Sequence, residues 1–356
     1  MTNPRPLVSV LIDTYNHERF IEQAIVSVLE QDMSAADMEV IVVDDGSTDT
    51  TPAIVRKFNP RVRYLRKVNG GQASAFNAGI PKTQGEVVAF LDGDDWWAKE
   101  KLRLVLEAFA SNPEVAVIGH SIFEAAEERG RPLPIRPLGQ CHLRLSNPEE
   151  AKLFSQLRCF LGTSRVTIRR EILSQVLPIP EELVVEADEF MFTLAVAIGG
   201  AVVLDRPLTY YRLHANNLFQ FRTGDEGKIR RKRDVMSCLE RELPPRLALL
   251  GAPPSVIEAI IKPVWIDAER LRLTVGQGKP WDTFRVESAA YSTAYRKTTL
   301  AYRAFKSLVL LGTLLMPPRQ FYRLKNWYAV KGLRRLRKIL GEPTSAAPIL
   351  EGEQGS

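Results

Sequence analysis

Three apolar runs in the first 95 residues end abruptly in acids or small polar groups. They are Val8-Ser9-Val10-Leu11-Ile12-Asp13-Thr14-Tyr15-Asn16, Val42-Val43-Asp44-Asp45-Gly46-Ser47 and Phe90-Leu91-Asp92-Gly93-Asp94-Asp95. Two carboxylates one residue apart, as in Asp92-Gly93-Asp94, can share a hard divalent ion (Mg²⁺ or Mn²⁺) that bridges a diphosphate. Gly93 allows close backbone approach. The same spacing also describes a solvated turn, but the apolar run before it and Trp96-Trp97 after it favour a site. Asp45 could accept hydrogen bonds from a ribose or a base. Alternatively, the segment caps a helix through Ser47, Thr48 or Asp49. Asn69-Gly70-Gly71-Gln72 opens a helical pattern whose first N–H groups suit an anion, with an ordinary tight turn as the other reading.

The elements that must position these groups are legible from period. Residues 7–12, 40–43, 62–65, 87–91 and 115–118 read as strands. Between them, Phe20, Ile21, Ala24, Ile25, Val28 and Leu29 fall on one helical face, and residues 51–58, 73–80 and 99–110 also read as helices. Such alternation implies right-handed βαβ units and a mostly parallel sheet. Acids at strand ends would then line the rim where open α/β sheets bind ligands. Residues 125–150 read as a long connection. Residues 163–168 and 202–204 read as strands, 182–198 as a helix, and helical patterns dominate after 217. A domain over 1–225 is expected, then a helical, basic extension over 226–341 and a disordered tail over 342–356.

An apolar fraction of 45% and a charged fraction of 25% are those of an ordinary globular protein. Cys141, Cys159 and Cys238 are odd in number and scattered, which argues against a disulfide framework or a zinc site and fits a reducing compartment. The first residues carry no apolar leader core, and no run approaches 18 apolar residues. No Walker lysine motif or strand-linked dinucleotide fingerprint occurs. A cytoplasmic protein is expected.

In this order and spacing, the three motifs resemble the family 2 glycosyltransferases, strongly over residues 7–120 and more loosely over 160–217. The resemblance implies an α/β GT-A fold, an αβα sandwich that binds a nucleotide-diphosphate sugar. It also implies inverting transfer of one sugar to a hydroxyl. By the family's pattern, Asp13, Thr14, Tyr15 and Asp45 would hold the nucleoside, a UDP-sugar being favoured, and Gln72 and Asn77 would lie near the donor. Asp92 and Asp94 correspond to its DXD element, Asp94 being the direct metal ligand. Asp188, in Glu186-Ala187-Asp188-Glu189-Phe190, aligns with the catalytic base, and Glu189 is the alternate because the usual order of acids is disturbed. These acids could instead complement a helix N-terminus. His214, in Tyr210-Tyr211-Arg212-Leu213-His214, would close over the diphosphate or complete the metal site, although a lone His is commonly structural. Members often carry Pro in place of Asp13 and Arg in place of Phe76.

The two alternatives to a transferase are an idle nucleotide-sugar-binding scaffold and a sugar-nucleotide pyrophosphorylase. The first should lack a metal carboxylate or the base, and the second should show a Gly-rich loop with Arg and Lys after the first strand. Neither feature is present.

Residues 319–338 contain eight Lys/Arg and no Asp/Glu, directly after the apolar segment 308–316. Cations interleaved with aromatics beside an apolar stretch suit a membrane interface, expected here over 305–338 on the cytoplasmic face of the inner membrane. The alternative is a helix packed on the catalytic domain with its basic side solvated. No nucleic-acid module accompanies the basic patch. Membrane proximity would fit a lipid-linked glycan acceptor of the bacterial surface-polysaccharide type.

Overall fold

The computed structural model describes residues 6–126, 132–137, 139–214, 226–294 and 300–331. The chain divides into two compact units, one built mainly from Met1–Ala215 and including Glu242–Ile257, the other from Asn216–Arg241 and Glu258–Pro348.

The first unit is built on a single mixed sheet. Its strands are β1 (Val8–Thr14), β2 (Met38–Asp44), β3 (Arg63–Arg66), β4 (Val87–Asp92), β5 (Trp96–Trp97), β6 (Val117–Ala126), β7 (Leu133–Ile135), β8 (Cys141–Leu143), β9 (Thr167–Arg169) and β10 (Ala201–Leu213). The order is β3-β2-β1-β4-β9-β6-β10-β5, with β7 paired to β6 and β8 to β10. Strands β1 to β4 are mutually parallel, as are β6 and β10, whereas β9 runs antiparallel between the two groups.

Continuous apolar runs mark strands covered on both faces, and both faces are covered. On one, Val8, Val10, Ile12, Val42, Ala89 and Leu91 share a core with Ile21, Ala24, Ile25 and Val28 of α1 (Ile21–Leu29). Each such side chain contributes roughly 1.5–3 kcal/mol on full burial. On the other face, α3 (Gln72–Gly79) lies so close that a Cβ on Gly79 would stand 2.6 Å from Leu11 Cδ1 and 2.7 Å from Val43 Cγ2. Phe76 of α3 meets Phe90 edge to face at 5.3 Å, so its ring belongs to the core. The remaining helices of this region are α2 (Thr51–Arg56), α4 (Lys101–Ser111), α5 (Pro148–Leu157), α6 (Arg170–Val176) and α7 (Ala187–Gly199).

Four departures from the sequence expectations have physical causes. Residues 163–165 form a 3₁₀ turn rather than strand, because Thr163 and Ser164 are bound by side chains described below. Strand β10 continues well past residue 204, across register shifts around Pro207 that break its apolar alternation. Helix α5 falls partly within the stretch read as a connection. Its start is signalled by Asn147, whose Oδ1 accepts from Glu149 N and Glu150 N at 3.0 and 3.1 Å, and by Pro148 in the first turn. Helix α7 begins at Ala187 and not at 182, since Glu186 takes a left-handed conformation with φ of 57° that no helix interior contains.

Beyond β10 all described structure is helical, as expected: α8 (Glu226–Leu249), α9 (Pro254–Thr274), α10 (Pro280–Ala294), α11 (Leu300–Gly312) and α12 (Pro318–Lys331). In the second unit, Ile266, Leu273, Val286, Phe321 and Tyr322 form a small core against which Val309 and Met316 pack. Beneath it, Glu287 receives Arg270 Nε at 2.9 Å and Lys325 Nζ at 2.7 Å. Among the described residues no helix is long and apolar enough to cross a membrane. The boundary expected near residue 225, the tail 342–356 and residues 332–338 of the expected interface element lie outside the described residues.

Candidate active site

Register alone brings the acids together. Asp13, next to last in β1, lies directly opposite Asp92, which closes β4, so their side chains leave the same face of the sheet at its carboxyl end. Burial pushes both carboxyls well above the usual range; the charges of Asp94 and Asp188 add to the effect at both, and that of Asp13 adds to it at Asp92. Asp13 Oδ1 is shielded from solvent and has no hydrogen-bond partner.

Asp94 turns the other way electrostatically. Its Oδ2 lies 3.0 Å from His214 Nε2 and 4.0 Å from His17 Nε2. Burial acts to raise this carboxyl, but the His214 hydrogen bond and the two imidazoles outweigh it and hold it below its ordinary value. His17 is in turn fixed by Thr14 Oγ1, 3.2 Å from its Nδ1. The turn requires Gly93: a Cβ there would stand 2.7 Å from both His17 Nδ1 and Thr14 Oγ1. Asp95 points inward, where it accepts from Arg212 N at 2.9 Å, and burial together with Asp94 pushes it up to about 7.

Ser164 clasps this turn to the fold. Its Oγ accepts from Asp92 N at 3.1 Å and donates to Asp92 Oδ2 at 3.2 Å. Its carbonyl accepts three donors: Trp97 Nε1 and Lys101 Nζ, each at 3.0 Å, and Thr209 Oγ1. Lys101 is fully buried, and burial holds its ammonium well below the usual range.

The next residue back, Thr163, holds Asp188. Asp188 Oδ2 accepts from Thr163 N at 2.8 Å and from Thr163 Oγ1 at 2.9 Å, and Oδ1 accepts from Glu189 N at 2.9 Å. A carboxylate offers about four acceptor sites, so one remains. Glu189, by contrast, is ion-paired with Arg158.

Three other expected donor residues are tied into the scaffold. Asp45 accepts from Lys67 Nζ at 2.8 Å, from Gly70 N at 3.0 and 3.1 Å and from Gly71 N at 2.7 Å. Asn77 brackets Ile179, its Nδ2 donating to the carbonyl at 2.8 Å and its Oδ1 accepting from the amide at 2.9 Å. Gln72 donates to Thr163 Oγ1 at 3.0 Å and accepts from Ala187 N at 3.0 Å, within 3.4 Å of Asp92. Thr14 is buried and Tyr15 is exposed.

His17, Lys101, Arg158 and Ser164 were not legible as site residues, and Asp95 stood in the acidic run without a role of its own. His17, directly after the first strand's rim, carried the one available signal. Among the described residues, no three His, Cys, Asp or Glu side chains stand close enough to hold a metal ion by themselves.

Comparison with known proteins agrees with this architecture. Residues 9–177 match the model of glycosyl transferase family 2. An uncharacterized glycosyltransferase of Nostoc sp., alr2836, is 34% identical over 223 residues, covering 59% of this chain and 66% of its own length. The uncharacterized glycosyltransferase EpsJ of Bacillus subtilis is 30% identical over 221 residues, covering 60% and 63%. The matched part thus spans a little under two thirds of these relatives. Among solved structures, S. aureus TarS 1-349 superposes with a TM-score of 0.54 at 19% identity, over 89% of this chain and 91% of that one. It is also known in complex with UDP-GlcNAc, with the same TM-score and identity. The fold is of the GT-A kind, and residues 9–177, which carry Asp13, Asp92 and Asp94, belong to glycosyl transferase family 2.

Proposed function

We propose that the protein is an inverting glycosyltransferase that moves a sugar from a nucleotide-diphosphate donor, a UDP-sugar first among them, to a hydroxyl of a lipid-linked glycan. The observation that carries this reading is the placement of Asp13, Asp92, Asp94 and Asp188 at one end of the sheet with His214 on Asp94. The UDP-GlcNAc complex of the similarly folded TarS supports the choice of nucleotide.

The residues suit a divalent cation. Asp13 and Asp92 are held up by burial and by neighbouring carboxylates, and among the described residues Asp13 Oδ1 has no partner, so a nearby cation would let both ionise. Asp94 would be the direct ligand, with Asp92 and His214 beside it. Among the described residues no three side chains are arranged to hold such an ion unaided, so further positions would fall to phosphate oxygens and water, as is usual for Mg²⁺ or Mn²⁺. Such an ion neutralises charge on the departing diphosphate.

Asp188 is the base in this reading. Thr163 orients it, and its remaining acceptor site takes the proton of the acceptor hydroxyl. That oxygen forms the new bond to the sugar carbon as the bond to phosphate breaks on the opposite face, and the nucleoside diphosphate leaves with the electron pair. Glu189 is a poorer base, since its charge is already offset by Arg158.

Calorimetric titration with UDP, GDP, CDP and dTDP, each with and without Mn²⁺, tests the proposal. Metal-dependent binding of one diphosphate is expected. Folded protein that binds none of them would overturn it in favour of an idle scaffold.

A further inference from the structure

Helix α11 has two unlike faces. Val309 and Met316, the latter just past the helix, pack on the core of the second unit, and Thr313 is fully buried. Leu308 and Leu311 share another face, and Leu315 carries the row on through the following turn at a spacing of three and four residues. They are 68%, 58% and 86% exposed, and Ala304 one turn earlier is exposed as well. Leu324 of α12 is 52% exposed. A lone exposed leucine needs no explanation, but a row of three does.

The stretch of sequence that carries this row has charge of one sign. Residues 288–341 contain twelve Lys/Arg and no Asp/Glu. Of these, Arg303 and Arg323 are exposed on α11 and α12, whereas Arg319 pairs with Glu226 and Lys325 turns onto Glu287.

We propose that the Leu308–Leu311–Leu315 row docks on an anionic phospholipid surface, with the leucines at the acyl boundary and the surrounding cations at the headgroup phosphates. The proposal deepens the reading of a lipid-linked acceptor given above and rests on it for its purpose, not for its evidence. Charge selects this occupant. Two copies of the chain meeting here would bring two acid-free basic segments together, which repels. An anionic leaflet attracts the same segment and accepts the leucines. Since no described helix can span a bilayer, α11 would lie in the plane of the interface.

The test is sedimentation of the full chain with vesicles of phosphatidylglycerol and phosphatidylcholine in equal parts, and with vesicles of phosphatidylcholine alone. Binding to the mixed vesicles is expected, weakened by salt. The triple variant Leu308→Ser/Leu311→Ser/Leu315→Ser should partition about tenfold more weakly, and Arg303→Ala/Arg323→Ala should weaken binding to the mixed vesicles about tenfold and leave binding to phosphatidylcholine alone unchanged. An unchanged partition of the triple variant overturns the proposal. So does self-association without vesicles that the triple variant abolishes, which would make a second copy the occupant. UDP titration of the same variants separates the two claims: vesicle binding without nucleotide binding removes the proposed activity and leaves this surface standing.

Discussion

Asp94 Oδ2 and His214 Nε2 lie 3.0 Å apart across 120 residues of sequence. The contact joins the turn after β4 to the end of β10, and it places an imidazole on the carboxylate proposed above to hold a cation. Asp94→Asn should weaken Mn²⁺-supported nucleotide binding on the order of 100-fold, and His214→Asn about tenfold. Calorimetry with and without Mn²⁺ reads both. If Asp94→Asn binds as the parent does, the metal assignment is wrong.

Asp188 and Glu189 are adjacent but differently engaged, so their variants should part. Asp188→Asn keeps the acceptor contacts that Thr163 needs and loses the proton sink, and turnover should fall about 1,000-fold with donor affinity unchanged. Glu189→Gln should leave turnover within about tenfold and cost roughly 1–2 kcal/mol of stability through the lost Arg158 pair. Steady-state rates beside a nucleotide titration decide. A dead Glu189→Gln with an active Asp188→Asn would reverse the roles.

Gly93 is a steric requirement. A methyl group there meets His17 and Thr14 at 2.7 Å, so Gly93→Ala must shift the turn that carries Asp92 and Asp94. Nucleotide affinity should drop about tenfold or more. Gly312→Ala is the control, because a Cβ on Gly312 meets no atom within 4 Å. Equal nucleotide affinity in the two variants would show that the turn tolerates displacement.

The second unit should be acid-sensitive through Glu287. Burial acts to raise this carboxyl, but Lys325 and Arg270 outweigh it and hold it down at about 2, against an ordinary 4.5. A carboxylate with a depressed folded value stabilises above its unfolded value and loses that contribution as pH falls towards the folded one. The window is therefore about pH 4.5 down to 2. Glu287→Gln should lower stability by about 2 kcal/mol at neutral pH and show a smaller difference from the parent at pH 3. Denaturant melts at the two pH values measure this, and a constant difference would contradict it.

The parallel half of the sheet was legible because strands covered on both faces write themselves as unbroken apolar runs, and β1, β2 and β4 did so. The joining of Asp13 to Asp92 follows from such runs once their register is known, but register is not written in the runs. The antiparallel β9 was mistaken in extent because hydrogen bonds from Thr163 and Ser164 to groups far along the chain override local alternation. The same reason hid Lys101 and Arg158: a buried lysine on a carbonyl and an arginine on an acid 31 residues away leave no local pattern. Asp45 and Asn77 stand out in the sequence as polar residues, yet their partners, the amides of Gly70 and Gly71 and the backbone of Ile179, come from folding and not from spacing.

The engagement of Asp45 has a thermodynamic consequence for the donor. The amides of Gly70 and Gly71 already hold an anion supplied by the protein. The glycine loop is therefore set before any nucleotide arrives, and its ordering entropy is charged to folding, not to binding. A phosphate seeking those amides would have to evict a covalently tethered carboxylate of very high local concentration. In the proposed donor site the loop would accordingly work as a rigid wall, and discrimination among nucleotides at this edge would come from shape rather than from adaptation.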